Sequence, residues 1–110
     1  MFYIRIAVAK KDEMISEHFG HCDGYEIFDA DEKKVEDKGF LPYPGHKPGF
    51  LPKFLAERKV ETIISGGMGS SAQELFRKKN IKVIVGVSGN VEEAVKKYLE
   101  GEVETEHSVC

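Results

Sequence analysis

No apolar run in this sequence approaches the roughly 18 residues that a membrane-spanning helix needs, so no membrane partner is expected. No basic cluster exceeds a few positions, and the formal net charge is −3. Nucleic acid is not expected as a partner either, because phosphate neutralisation needs a concentrated basic face. Cysteine is scarce: Cys22 and Cys110 make no recognisable disulfide framework, which places the chain in a reducing cytoplasm. The opening residues, Met1 to Val8, have neither a basic leader nor a small-residue cleavage site and read as a strand rather than a signal peptide. Asn and Gln are nearly absent, at Gln73, Asn80 and Asn90 only, while Lys and Glu dominate a charged fraction of 32%. That balance is of the thermophilic kind.

What remains describes one domain. A chain of 110 residues with 41% hydrophobic side chains can bury a core without covalent staples. Residues 2–9 are almost continuously apolar and β-branched, as a strand covered on both faces would be. Residues 12–24 read as a long loop. Tyr25 to Asp29 and Lys34 to Phe40 read as two strands of a hairpin turning at Ala30-Asp31-Glu32-Lys33. The stretch Leu41 to Gly49, with three prolines and two glycines, reads as an ordered loop. A helix is expected over 50–58, with Leu51, Phe54 and Leu55 on one face and Pro52 tolerated in its first turn. A buried strand is expected over 60–65. The sequence Ser71-Ala72-Gln73-Glu74 reads as a capping box opening a helix over 71–79. Another buried strand is expected over 81–87. A last helix is expected over 91–100, capped by Asn90, striped by Val91, Ala94, Val95, Tyr98 and Leu99, and ended by Gly101. Residues 1–101 are thus expected to form a single α/β domain, and 102–110 a flexible acidic tail.

The order β-β-β-α-β-α-β-α predicts a layered α/β domain with a five-stranded mixed sheet. The third and second strands lie on one side of the first, the fourth and fifth on the other, and the second strand runs antiparallel. In that arrangement four loops converge on one edge: the loop after the first strand, the Pro-rich loop carrying His46, and the two glycine-containing loops that follow the fourth and fifth strands. Between the first and fourth strands the connection order reverses, and open α/β sheets hold ligands at such points.

The loop after the first strand carries Ser16-Glu17-His18-Phe19-Gly20-His21-Cys22. Two imidazoles and a thiol within five residues suit zinc, copper(I) or iron-sulfur species rather than magnesium or calcium. A surface His, a hydrogen-bonded His and a small buried Cys would read the same. His18, His21 and Cys22 are too few for a closed four-ligand zinc site. Facing them is Gly66-Gly67-Met68-Gly69, a tight turn into a helix whose exposed N–H groups attract anions. Gly67-Met68-Gly69-Ser70-Ser71-Ala72 matches a dinucleotide fingerprint, yet the carboxylate expected some 20 residues on is missing around Val85-Gly86-Val87-Ser88. An anion that also takes soft ligands satisfies both halves: a metal-sulfur cluster, bringing its own sulfides and leaving again. His46 and Met68 are candidate supplements. His107 and Cys110 belong to the tail.

These residues carry a resemblance. The strand Ile4-Arg5-Ile6-Ala7-Val8-Ala9, the stretch Ser16-Glu17-His18-Phe19-Gly20 ahead of Tyr25-Glu26-Ile27-Phe28, and Ser65-Gly66-Gly67-Met68-Gly69 resemble the dinitrogenase iron-molybdenum cofactor biosynthesis proteins of the NifX and NifB C-terminal type. The resemblance spans roughly residues 2–100. It implies a ribonuclease-H-like three-layer fold and non-enzymatic binding or carriage of an iron-sulfur or molybdenum/iron-sulfur cluster, with cofactor-assembly proteins as partners. It carries over only His18 as a ligand, so His21 and Cys22 rest on their chemistry. The competing class is an interaction or regulatory module of the same fold without a metal. A magnesium-dependent nuclease of that fold is disfavoured, since Phe2 to Ala9 offers no carboxylate.

Overall fold

The structure, a computed structural model, describes residues 4–31, 34–45 and 50–100, with His21 by its backbone alone. His46, Gly101 and the segment 102–110 therefore lie outside the described residues. The elements follow in the order β1 (Ile4–Lys11), β2 (Met14–Ile15), β3 (Gly24–Ala30), β4 (Val35–Pro42), α1 (Phe50–Glu57), β5 (Thr62–Ile64), α2 (Ser70–Lys78), β6 (Lys82–Ile84) and α3 (Val91–Leu99). A short 3-10 turn, Phe19–His21, interrupts the loop between β2 and β3.

The sheet runs β4-β3-β1-β5-β6. β3 is antiparallel to both β1 and β4, whereas β5 is parallel to β1 and β6 to β5. The expected order of five strands and the reversal of the second of them, β3, are both present. The strand count is not: there are six, because Met14–Ile15 pairs antiparallel with Lys10 and Lys11. Asp12 takes a left-handed φ of 58° and reverses the chain within two residues. A strand of two residues has no periodicity to read. β4 also reaches further than expected, through Leu41 and Pro42. Pro42 is tolerated there because an edge strand leaves one row of N–H groups unused.

The middle of β1, Ile6 to Ala9, is buried on both faces, which is why that stretch is apolar throughout. Ala7 and Ala9 face one core with Phe19, Tyr25, Ile27, Leu51, Leu55, Ile63 and Phe76. Ile6 and Val8 face the other, with Ile15, Phe28, Ile64, Val91 and Val95. Helices α1 and α2 thus cover one face of the sheet and α3 the other. At about 25 cal/mol per Å² of apolar surface removed from water, fully burying each of these large side chains contributes about 1.5–3 kcal/mol.

The α3 N-terminus is capped as expected, with the Asn90 side chain accepting from the Glu93 N–H at 3.1 Å. The capping box proposed for α2 is absent. The residue at the N-cap is Gly69, and Ser71 lies inside the first turn with no side-chain cap formed. Gln73 instead donates its side-chain amide to the Met68 carbonyl at 2.9 Å, tying helix to loop rather than closing the helix end.

Candidate functional site

The segment after β2 is stitched to the loops that follow β5 and β6. Ile15 N–H donates to the Gly89 carbonyl at 2.9 Å, Gly66 N–H to the Ser16 carbonyl at 2.9 Å, and Phe19 N–H to the Gly67 carbonyl at 2.8 Å. His18 and Gly67 form an isolated parallel bridge. His18 and the glycine loop are thus neighbours at one edge of the sheet, the carboxyl ends of β1, β5 and β6.

Each contact has a local cause. The Ser16 hydroxyl donates to the His18 carbonyl at 2.8 Å and accepts from the His18 N–H at 3.3 Å, which folds the chain tightly before the imidazole. The Ser65 hydroxyl donates to the Gly67 carbonyl at 3.2 Å, so that one oxygen receives both Phe19 and Ser65. Gly66 has to be glycine: a Cβ there would stand 2.6 Å from the Ser16 carbonyl and 2.8 Å from the Glu17 Cα. At Gly67 it would stand 2.8 Å from the Glu17 carbonyl. The histidine segment and the glycine loop touch backbone to backbone.

The candidate ligands do not share one environment. His18 is exposed. His21 lies in the 3-10 turn, and its side chain is outside what the structure describes. Cys22 is 7% exposed and packs in the core beside Phe19 and Tyr25. Burial pushes its thiol above the ordinary cysteine range, against a smaller lowering by Tyr25. Such a thiol is protonated at neutral pH and is a poor ligand where it stands. Met68 is half-buried and packs against the α1/α2 core. Among the described residues, no group of three His, Cys, Asp or Glu side chains is placed to hold a metal ion.

The turn that carries these residues is anchored by Phe19, which stacks edge-on against Phe76 at 5.3 Å and tilted against Tyr25 at 5.6 Å. The Tyr25 side chain is fully buried, and its hydroxyl is the buried side-chain polar atom without a hydrogen-bond partner among the described residues. The Cys22 thiol is near enough to perturb it but does not meet hydrogen-bond geometry. Burial is the first cause of the upward displacement of the Tyr25 phenol. The N–H groups of Ser70, Ser71 and Ala72 have no partner inside α2, the first intrahelical bond being Gln73 N–H to Gly69. They are the donors this edge offers to an anion.

Of the residues expected at this edge, His18 and Gly66 to Gly69 come together there, the Cys22 side chain turns into the core, and the His21 side chain and His46 lie outside the described residues. Ser16 and Ser65 stand in the motifs of the sequence, but their hydrogen bonds to the His18 and Gly67 backbone, and the burial of the Tyr25 hydroxyl, are visible only in the structure. Tyr25 gave no signal beyond its place in an apolar strand.

Comparison with known proteins agrees with this fold. A family model described as dinitrogenase iron-molybdenum cofactor matches residues 3–101. An uncharacterized protein of Methanocaldococcus jannaschii, MJ0580, is 24% identical over 106 residues, spanning 92% of this chain and 90% of its own. The crystal structure of PH0822 superposes with a TM-score of 0.82 at 25% identity, covering 94% of this chain and 96% of that one. The apo form of the orange protein from Desulfovibrio gigas superposes with a TM-score of 0.74 at 24% identity, covering 92% and 91%. With nearly its whole length inside the family match, this chain belongs to the dinitrogenase iron-molybdenum cofactor family.

Proposed function

We propose that this protein binds and carries an anionic metal-sulfur cluster, of iron-sulfur or molybdenum/iron-sulfur type, as cargo at the carboxyl edge of its sheet, without chemical turnover. The family ties the chain to the iron-molybdenum cofactor. One observation carries the rest: the His18–Gly67 bridge sets an exposed imidazole beside an uncapped helix start. An imidazole offers a metal ligand, and free N–H groups at a helix start favour negative charge.

The donor set fits cargo better than a resident ion. His18 is a single soft-metal ligand at the surface, and the Cys22 thiol is buried and protonated. A cluster that brings its own sulfides needs few protein ligands and gains from hydrogen bonds to those sulfides. The same reading assigns the fold to the ribonuclease-H-like class, supported by a mixed sheet with β3 reversed between β1 and β4 and helices on both faces. It places the protein in the cytoplasm among cofactor-assembly partners.

The test is anaerobic titration of the protein with iron and sulfide, and separately with thiomolybdate and copper(I), followed by visible absorbance. Absorbance that co-elutes with the protein and is lost in His18→Ala supports the reading. A protein that stays colourless with both, or a His18→Ala variant that takes up cluster unchanged, would overturn it.

A further inference from the structure

The end of the molecule opposite the cluster edge has a different electrostatic character. β5 and β6 are adjacent and parallel, so the junctions that lead into them lie side by side, and the Lys82 N–H donates to the Glu61 carbonyl at 2.9 Å. Each junction turns through one left-handed residue after its helix: Lys59 with φ 65° after α1, and Asn80 with φ 61° after α2. This repetition brings Arg58 and Lys59 to the same end of the sheet as Lys78 and Lys79, and Lys82 extends that basic end onto the α3 face, over Tyr98.

Residues 57–61 and 77–82 carry six Lys or Arg against two carboxylates, whereas the whole chain carries 16 against 19. Arg58, Lys59, Lys78, Lys79 and Lys82 are all exposed. None of them forms an ion pair among the described residues. Arg58 is pinned by its own helix, donating to the Phe54 carbonyl at 3.0 Å with its guanidinium 3.8 Å from the Phe54 ring centre. Of the two carboxylates, Glu61 accepts from the Arg5 backbone N–H at 3.3 Å. No stretch of sequence announced this patch, because its halves are some twenty residues apart and only the parallel pairing joins them.

We infer that this basic end is a docking surface for an acidic protein partner. Basic residues at helix C-termini also complement the helix dipole, which accounts for Lys78 but not for Lys59 and Lys82 outside the helices. The chemistry fits carboxylates on a protein better than a nucleic acid. Glu57 and Glu61 interrupt the cations, an interruption that discrete carboxylates on a folded partner can be spaced to avoid and an evenly charged phosphate backbone cannot. The nearby rings are already covered, Phe54 by Arg58 and Tyr98 by Lys82 at 5.8 Å, leaving none to stack on bases. A partner bound here leaves the His18 edge open, so cargo transfer and docking do not compete.

The test uses the full chain, isotope-labelled for NMR, with two probes: a ten-residue glutamate peptide and a ten-base single-stranded DNA. Peptide-induced shifts confined to 57–61 and 77–82, weakened about tenfold between 50 and 200 mM salt, support the inference. So does loss of those shifts in Lys78→Gln/Lys79→Gln/Lys82→Gln and their retention in the corresponding triple Arg variant, with thermal stability unchanged in both. Shifts scattered over the surface would overturn it, as would tighter binding of the DNA. Peptide binding that appears only after residues 102–110 are removed would also overturn it, by making Glu102, Glu104 and Glu106 the occupant.

Discussion

Phe19 donates its backbone N–H to the carbonyl of Gly67 at 2.8 Å, across a gap of 48 positions in sequence. The Phe19 side chain meanwhile reaches down onto Phe76 of the helix that the glycine loop begins. One residue thus fixes both the height and the approach of the histidine segment over α2. Removing the ring is expected to cost about 3–5 kcal/mol of stability, the usual range for a buried Phe→Ala. Phe19→Leu should cost less and keep the backbone bridge. Denaturant unfolding of both variants, with amide exchange at Phe19, checks this. Equal stability for wild type and Phe19→Ala would show that the turn is not anchored by its ring.

The glycines give the complementary prediction. Gly66→Ala places a methyl group 2.6 Å from the Ser16 carbonyl, and backbone cannot yield there as a side-chain tip can. The loss should be about 1–3 kcal/mol, in the range of overpacked sites. Gly69→Ala, where a Cβ meets nothing within 4 Å, should be nearly neutral. Thermal unfolding of the pair separates a packing need for glycine from a general preference for it in turns.

These positions also mark how much the sequence could say. The strand order was legible because β1 is apolar on both faces and because βαβ units have one allowed hand. The convergence of His18 with Gly66 to Gly69 followed from that order alone. The interior location of Cys22 was not legible: a thiol in a loop beside two histidines reads as a ligand, and only the packing of Phe19 and Tyr25 around it turns it inward. The α2 cap was misread for a related reason. Ser71 and Glu74 have the right spacing, but the chain enters the helix two residues earlier, at Gly69, just after Gly66 and Gly67 have passed the Glu17 backbone.

The buried thiol makes a chemical prediction. In a Cys110→Ser background, Cys22 should react with a thiol reagent slowly at pH 7–8 and only as fast as the protein opens, since burial holds it protonated. The rate should rise steeply across the unfolding transition. Rapid stoichiometric labelling of the folded protein would place Cys22 at the surface instead.

Arg5 and Asp29 form a forked pair across β1 and β3, at 2.7 and 2.9 Å. The Arg5 hydrogen bonds hold the Asp29 carboxyl below the ordinary aspartate range, against the opposing effect of burial. A depressed carboxyl pKa adds stability that is fully present above the unfolded value of about 3.9 and is lost as pH falls through the lower folded value. Asp29→Asn is therefore expected to be less stable than wild type at pH 7, by about 1–3 kcal/mol. The difference should shrink below about pH 4. Urea unfolding at pH 7 and pH 3 checks it; a gap that does not narrow at pH 3 would assign the loss to packing.

Glu26 behaves in the opposite sense. Its carboxyl is pushed up first by burial and then by Asp37, with Lys10 at 3.0 Å pulling it part of the way back. A raised carboxyl pKa favours the folded state at low pH and loses that advantage as pH rises from the unfolded value of about 4.3 through the higher folded one. Asp37→Asn keeps an oxygen for the Gly39 N–H, which Asp37 accepts at 2.8 Å, and removes the like charge. The variant should be more stable than wild type at pH 7 by about 0.5 kcal/mol. It should be indistinguishable from wild type near pH 3. A gain that persists at pH 3 would mean that charge relief at Glu26 is not its source.

Ser70→Glu tests the charge of the cargo. Ser70 opens α2 directly after the uncapped Gly69 and is exposed, so a glutamate there has room. An acidic first turn favours an isolated helix by about 0.3–1 kcal/mol, so thermal stability should hold or rise slightly. An anionic metal-sulfur cluster approaching the same N–H groups would meet a like charge and bind more weakly. A bare cation such as Zn²⁺ would gain a carboxylate neighbour and bind equally or better. Titrating zinc and thiomolybdate with copper(I) into both proteins separates the cases. Weaker cluster uptake with undiminished zinc binding marks an anion held by the helix start. Equal losses for both would mean that the longer side chain blocks the site sterically. Cluster uptake as strong in Ser70→Glu as in wild type would leave Gly66 to Gly69 as a turn required only by the close passage of Ser16 and Glu17.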